Sequence, residues 1–273
     1  MPVCYNIPTT LLHDFRTEHV VLRSDQPGEL AEALRDFPPE NVRFVQLLSP
    51  DRDTEALQRV EAPVCIDLVV DDPQEFALLY RRTELFRTHP VRVTATAVPG
   101  FTKTVRLAMS LGLPVKLDVT HPDRYITDEL LALLDNYLHH TTVSQPIEFF
   151  HGILMSLYSG NATTLWKIQE EDPAEFLFVR DSGEIALSRR LPVSLESDAA
   201  PNFVNHLRTK LISGQNECSA CRFFSCCAGY FKLPDETYRC DHVLEVFSVI
   251  ENAAAELRKD YAAYAESETE SPT

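Results

Sequence analysis

The chain has 273 residues, 44% of them hydrophobic, and a formal net charge of −16. That size and apolar share support a full core, one large domain with an appendage. An acidic surface repels phosphate backbones, so nucleic-acid binding is not expected. No apolar run approaches the ~20 residues needed to cross a bilayer. The N-terminus MPVCYNIPTT lacks a basic stretch followed by an apolar run, so no signal peptide is expected and the cytoplasm is the expected compartment. With only 8 glycines, neither G-x-G-x-x-G nor G-x-x-x-x-G-K-[ST] occurs, which removes a dinucleotide fingerprint and a P-loop.

From residue 19 to about 160, short β-rich runs alternate with amphipathic stretches. The pattern predicts strands at His19–Arg23, Val42–Leu48, Val64–Val70, Val91–Val98, Val115–Val119 and Thr141–Ser144. Helices are expected at Gly28–Phe37, Asp53–Val60, Pro73–Thr88, Thr102–Leu111, Asp128–His139 and Ile147–Tyr158. Thr127 reads as an N-cap, with Asp128 and Glu129 in the first turn. Six β/α units with short connections demand a parallel sheet. They predict an α/β fold, either a TIM-like partial barrel or an open doubly wound sheet.

After Gly160 the pattern changes. A short helix is expected to start at Thr163–Trp166. Glu175–Val179 and Glu184–Leu187 flank Asp181-Ser182-Gly183, a hairpin turn. Residues from Leu191 to Asn202 read as a linker, Phe203–Ile212 as a helix, and Val243 to Tyr264 as a long final helix. The acidic stretch from Glu266 is expected to be disordered. The expected organisation is 1–160 as a degenerate partial β/α barrel, 161–200 as hairpin and linker, 201–265 as a cluster-binding domain and 266–273 as a tail.

Five of the seven cysteines crowd into the C-terminal part, as C-x2-C-x4-C-C-x12-C: Cys218, Cys221, Cys226, Cys227 and Cys240. Thiolates two residues apart can chelate one soft metal centre, and a second pair completes a four-sulfur shell. An odd cysteine count argues against a complete disulfide framework. Bulky Phe223, Phe224, Tyr230 and Phe231 interleave with the thiols, which suits an iron–sulfur cluster whose potential depends on burial. A structural zinc is the alternative. His242 could replace a thiolate, although a solvated or capping role fits it better. Cys4 and Cys65 stand alone and read as packing residues. Trp166 is the single tryptophan and reads as core.

The β/α region followed by a cysteine-rich tail resembles radical SAM enzymes that carry a C-terminal SPASM domain and modify peptides or proteins. The SPASM run is C-x2-C-x5-C-x3-C and a later Cys. Cys218, Cys221 and Cys227 match its first three positions, Phe231 stands at the fourth, and Cys240 matches the later one. The resemblance implies a single [4Fe–4S] cluster held by Cys218, Cys221, Cys227 and Cys240. Cys226 is the spare, or an alternative to Cys227. Radical SAM enzymes also carry C-x3-C-x2-C after the first strand. With His19–Arg23 as that strand, the loop is Arg23–Gly28 and holds no cysteine. The glycine-rich segment after the second strand falls at Ser49-Pro50-Asp51, without glycine. The resemblance therefore implies an accessory protein, with no SAM of its own, that partners a radical SAM enzyme or its peptide substrate, as in a heterodimer.

A reading of another class is a β/α-barrel acid–base enzyme with a structural zinc. Its polar residues at strand ends would be Asp71, Lys116, Asp118, His121 and Glu148. Asp72, Thr94, Thr96 and Gln145 lie nearby in sequence, where helix caps and solvated loops explain most such residues. His139 and His140 end a helix, where a cationic side chain meets the dipole.

Overall fold

Two strand runs alternate strictly between apolar and polar residues, Arg92-Val93-Thr94-Ala95-Thr96 and Lys116-Leu117-Asp118. The computed structural model describes residues 2–49, 53–61, 63–140, 143–160, 163–190, 193–195, 200–214 and 216–269, and it turns that alternation into two unlike sheet faces. Strands β1 (Cys4–Pro8), β2 (His19–Ser24), β3 (Val42–Leu47), β4 (Ile66–Val70), β5 (Val91–Thr96) and β6 (Val115–Asp118) pair in parallel, each with the next. β7 (Phe176–Val179) pairs in parallel with β1, and β8 (Ile185–Ala186) closes on it antiparallel. The order is β6-β5-β4-β3-β2-β1-β7-β8, an eight-stranded sheet curled into a half-barrel. The expected partial barrel is thus present, with a different first strand.

Two strand expectations need correction. β1 lies N-terminal to the strand expected to be first. The strand expected at Thr141–Ser144 falls partly on residues 141 and 142, outside the described residues, and Val143 and Ser144 are not in a strand. That edge carries a single parallel bridge, Val115 to Ile147. Pro146 beside it has no N–H to extend a ladder. The hairpin also does more than connect: through β7 it becomes part of the sheet.

Helices α1 (Pro27–Asp36), α2 (Glu55–Gln58), α3 (Thr83–Thr88) and α4 (Thr102–Ser110) follow β2 to β5. A 3-10 segment, Pro73–Arg82, precedes α3 where one continuous helix was expected. α5 (Arg124–His139) begins a turn earlier than Asp128. Asp123, not Thr127, caps it by accepting the Ile126 N–H at 2.8 Å, and Thr127 is buried inside the helix. α6 (Glu148–Ser159) and the short α7 (Leu165–Ile168) lead into β7. α8 (Phe203–Ser213) and α9 (Phe224–Cys227) precede α10 (Asp241–Thr269). α10 runs past Tyr264 and takes in residues expected to be disordered; 270–273 lie outside the described residues. Among the described residues, no helix is long and apolar enough to cross a membrane.

The outer face of the sheet is aliphatic. Ile7, Leu22, Val45, Leu47, Ile66, Leu68, Val93 and Leu117 are fully buried. They belong to one core that continues into the cysteine-rich segment through Phe223, Phe231, Val246 and Phe247. The inner face carries Asn6, Arg23, Gln46, Asp67, Arg92, Thr94, Lys116 and Asp118. Parallel strands buried on both sides usually read as unbroken apolar runs, so a polar inner face must find partners. It does. Asp67 accepts from Gln46 at 2.9 Å, from Thr94 at 2.6 Å and from Arg92 at 3.0 Å. Arg92 grips both Glu170 oxygens, at 2.8 and 2.6 Å.

Removing Arg92 leaves two enclosed carboxylates without their cation. Arg92→Met is expected to cost about 3–5 kcal/mol in urea denaturation. A loss below ~1 kcal/mol, the range of an exposed pair, would show that the network does not stabilise the half-barrel.

Candidate metal centre

The cysteine-rich segment is built from tight turns. Asn216 accepts the Cys218 N–H at 2.9 Å and starts the 3-10 turn Glu217–Ala220, which brings Cys221 back beside Cys218. α9 follows and ends in two successive left-handed residues, Ala228 (φ 51°) and Gly229 (φ 78°). Glycine is required at the second: a Cβ there would lie 2.3 Å from Leu211 Cδ1. This reversal turns the N–H groups of Gly229, Tyr230 and Phe231 onto the Cys227 sulfur. Cys240 directly precedes α10, its N–H held by Glu217 Oε1 at 3.2 Å.

Cys218, Cys221, Cys227 and Cys240 all line one cavity of about 480 Å³. Its walls are largely apolar: Phe223, Phe224, Phe231, Val243, Leu244 and Phe247. Cys226 does not line it. Its thiol lies on the other side of α9 and hydrogen-bonds Ser156 of α6. His242 is also absent from the cavity wall. Burial raises the thiol pKa of Cys218 and of Cys240, and pushes Cys227 up to about 12 against the pull of its three N–H donors. Without a cation these thiols stay protonated; metal binding would release their protons. Among the described residues, no three Cys, His, Asp or Glu side chains converge as a ready site for one metal ion. Four thiols lining an apolar cavity, with N–H groups turned toward one sulfur, are a donor set that an iron–sulfur group could take.

The cysteine segment is anchored to the half-barrel by specific polar contacts. Trp166 donates to the Ala228 carbonyl at 3.1 Å and packs edge-on to Tyr230, ring centroids 4.9 Å apart. Tyr230 donates to buried Glu171 at 2.7 Å, and Tyr238 donates to the Pro122 carbonyl at 2.7 Å. His121 meets the Phe231 carbonyl at 3.1 Å and stacks on Tyr238.

The interior of the half-barrel is a second polar cluster. Lys116 and Asp118, two of the five acid–base candidates, lie in it, and a third, the exposed Asp71, is tied to it through Arg190. Lys116 bonds Asp118 at 2.9 Å, and Arg190 joins Asp118 at 3.1 Å to Asp71 at 2.8 Å. Arg189 and Thr96 also bind Asp71. Arg23, pinned under Phe178, bonds the Asn6 carbonyl at 2.7 Å. The remaining cavity is about 60 Å³, far below the ~300 Å³ of a typical ligand pocket. The other two candidates are elsewhere. His121 turns to the cysteine segment. Glu148 starts α6 outside this cavity, where burial raises its pKa. Thr94 serves Asp67. Asp72 caps the Pro73 segment, and Gln145 lines a groove beside Tyr137 and α10. His139 is exposed beside Asp135 at 3.8 Å, at the end of α5 as expected; His140 follows it. Cys4 is buried with Val21, Phe44 and Phe176, and Cys65 packs against that cluster.

Sequence reasoning missed Gln46, Asp67, Arg92, Glu170, Arg189 and Arg190. The period-2 polar residues of β5 and β6 were the available signal for Arg92; the other five carried none. It also misplaced the loop after the first strand. That loop is Thr9–Glu18, between β1 and β2, and it contains no cysteine. Arg23–Gly28 follows the second strand instead.

No protein-family model matches the chain, and no curated protein matches it significantly in sequence. Among solved structures, the fold resembles anSMEcpe, a radical SAM enzyme. With bound AdoMet, the TM-score is 0.54 at 15% identity, covering 91% of this chain and 88% of that one. With AdoMet and Cp18Cys peptide, the TM-score is 0.56 at 15% identity, covering 91% and 89%. The fold is radical-SAM-like.

Asp71 is held at about 2: burial would raise it, but Arg189, Thr96 and Arg190 outweigh that. Asp118 and Glu170 are likewise lowered against burial, by Lys116 and Arg92 respectively. Depressed carboxylates give stability that is complete above their unfolded pKa of ~4 and lost as pH falls toward ~2. The urea midpoint should therefore hold from about pH 7 to 5 and then drop, and Asp71→Asn should make the drop shallower. An identical slope in Asp71→Asn would contradict this.

Proposed function

We propose that the chain is an iron–sulfur accessory protein of a radical SAM enzyme, holding one [4Fe–4S] cluster through Cys218, Cys221, Cys227 and Cys240. The observation that carries this reading is the shared cavity: four of five clustered thiols line it and Cys226 does not. The matching C-x2-C-x5-C run and later Cys240 support the same four as a SPASM-like ligand set. When bound, such a cluster supplies one-electron transfer. The chain's own residues give it an apolar wall, a set of N–H donors at Cys227 and a buried cation at Lys232.

The half-barrel supports an accessory rather than a radical-generating role. The loop Thr9–Glu18 offers no thiolate, and Lys116, Glu170, Arg189 and Arg190 close in on the small cavity left in the interior. We infer that the body does not take up SAM and instead docks a radical SAM partner carrying C-x3-C-x2-C, or that partner's peptide substrate, in a reducing cytoplasm. The gathering of Asp71, Lys116 and Asp118 favours an acid–base enzyme less, since each is spent on an ion pair and little room is left for substrate.

Anaerobic reconstitution tests the proposal. The parent should bind about four irons and four sulfides per chain with broad visible absorbance. Cys218→Ala, Cys221→Ala, Cys227→Ala and Cys240→Ala should each lose most of that iron, and Cys226→Ala should keep it. One zinc and no iron would overturn the cluster. Loss in Cys226→Ala with retention in Cys227→Ala would overturn the ligand set.

A further inference from the structure

Lys232 is a buried lysine, 4% exposed, in the wall of the cysteine cavity. A desolvated ammonium is costly unless it has partners. Its Nζ bonds Glu217 Oε1 at 2.5 Å and the Tyr238 carbonyl. The same Glu217 oxygen accepts the Cys240 N–H at 3.2 Å, so ammonium, carboxylate and Cys240 backbone meet at one atom. Glu217 directly precedes Cys218. The pair is therefore wedged between two of the four thiols, and both Lys232 and Glu217 line their cavity. The other charged residues on this wall are paired outward on the surface: Arg222 with Glu251 at 3.2 Å, and Asp241 with Arg239 at 2.9 Å.

A cluster's reduction potential follows the net charge and hydrogen bonding around its sulfurs. Reduction adds an electron, so a nearby cation favours it and a nearby anion opposes it. We propose that Lys232 and Glu217 are an opposed charge pair that sets the reduction potential of the group held by the four thiolates. Lys232 raises the potential and Glu217 restrains that rise. Their proximity to the metal shell is unequal in kind: the Lys232 side chain is enclosed, at 5% exposure, while that of Glu217 is 36% exposed and partly screened by water. Lys232 is therefore the stronger of the two. This inference rests on the cluster reading above and adds to it which residues tune the site.

The test is an anaerobic redox titration, followed by electron paramagnetic resonance, of reconstituted parent, Lys232→Met, Lys232→Arg and Glu217→Gln. Lys232→Met should lower the midpoint, with about a tenfold fall in the reduced-to-oxidised ratio at fixed potential, or ~59 mV for one electron. Glu217→Gln should move it the other way, and Lys232→Arg should stay near the parent. Shifts of the same sign in Lys232→Met and Glu217→Gln, or no shift in either, would overturn the proposal. If Lys232→Met takes up no iron, Glu217→Gln decides: a raised midpoint supports the pair, and an unchanged or lowered one refutes it. Iron content is read first, so a parent that binds none refutes the cluster reading itself, separately from any effect of charge.

Discussion

Arg92 sits between two carboxylates, Asp67 on the neighbouring strand and Glu170 in the segment after α7, and most of the molecule is arranged around that contact. Charges on the concave face of a half-barrel cannot all reach water, and a charge removed from water must be matched by another. Matching Arg92 requires the chain from Gln169 to Glu171 to lie inside the barrel. Glu170 adopts a left-handed backbone, φ 57°, which a residue with a Cβ rarely does. Two hydrogen bonds from one guanidinium hold it there. Once the segment is inside, Gln169 donates to the Leu117 carbonyl at 3.0 Å and β7 can pair with β1.

The same insertion sets the cysteine segment. Glu171, next to Glu170, accepts from Tyr230, and Trp166 on α7 holds the Ala228 carbonyl. Both anchors bracket the reversal at Ala228 and Gly229, which aims three N–H groups at Cys227. The ion-paired interior and the thiol-lined cavity are thus joined by few residues. One core runs through both, with Phe231 and Phe247 as much a part of it as Leu68 and Leu117. The structure pairs a filled barrel interior with a cavity lined by four cysteines.

Local features were legible in the sequence. β2 to β6, the β7–β8 hairpin, and α1, α4, α6 and α8 all arise where short-range periodicity and turn residues put them. The cysteine spacing also placed neighbours together: Cys218, Cys221, Cys227 and Cys240 line one cavity. What could not be read were contacts between distant residues. Arg92 and Glu170 are 78 residues apart, and Arg190 and Asp118 are 72. β1 was hidden because it is short, lies beside the N-terminus and contains polar Asn6, whose side chain bonds Gln46 at 2.7 Å. His121 stands among the alternative acid–base candidates after β6, and its partner is a backbone carbonyl in the distant cysteine segment. The alternation of polar residues in β5 and β6 is the sequence's trace of a polar concave face. Only the fold shows that this face is filled from within the same chain.

The most direct measurement is electron paramagnetic resonance of the anaerobically reconstituted, reduced protein, recorded with and without AdoMet. A filled half-barrel beside one sulfur-bound centre predicts the signal of a single cluster, unchanged by AdoMet. A second cluster signal, or a spectrum that AdoMet alters, would mean that the barrel still houses a radical-generating site.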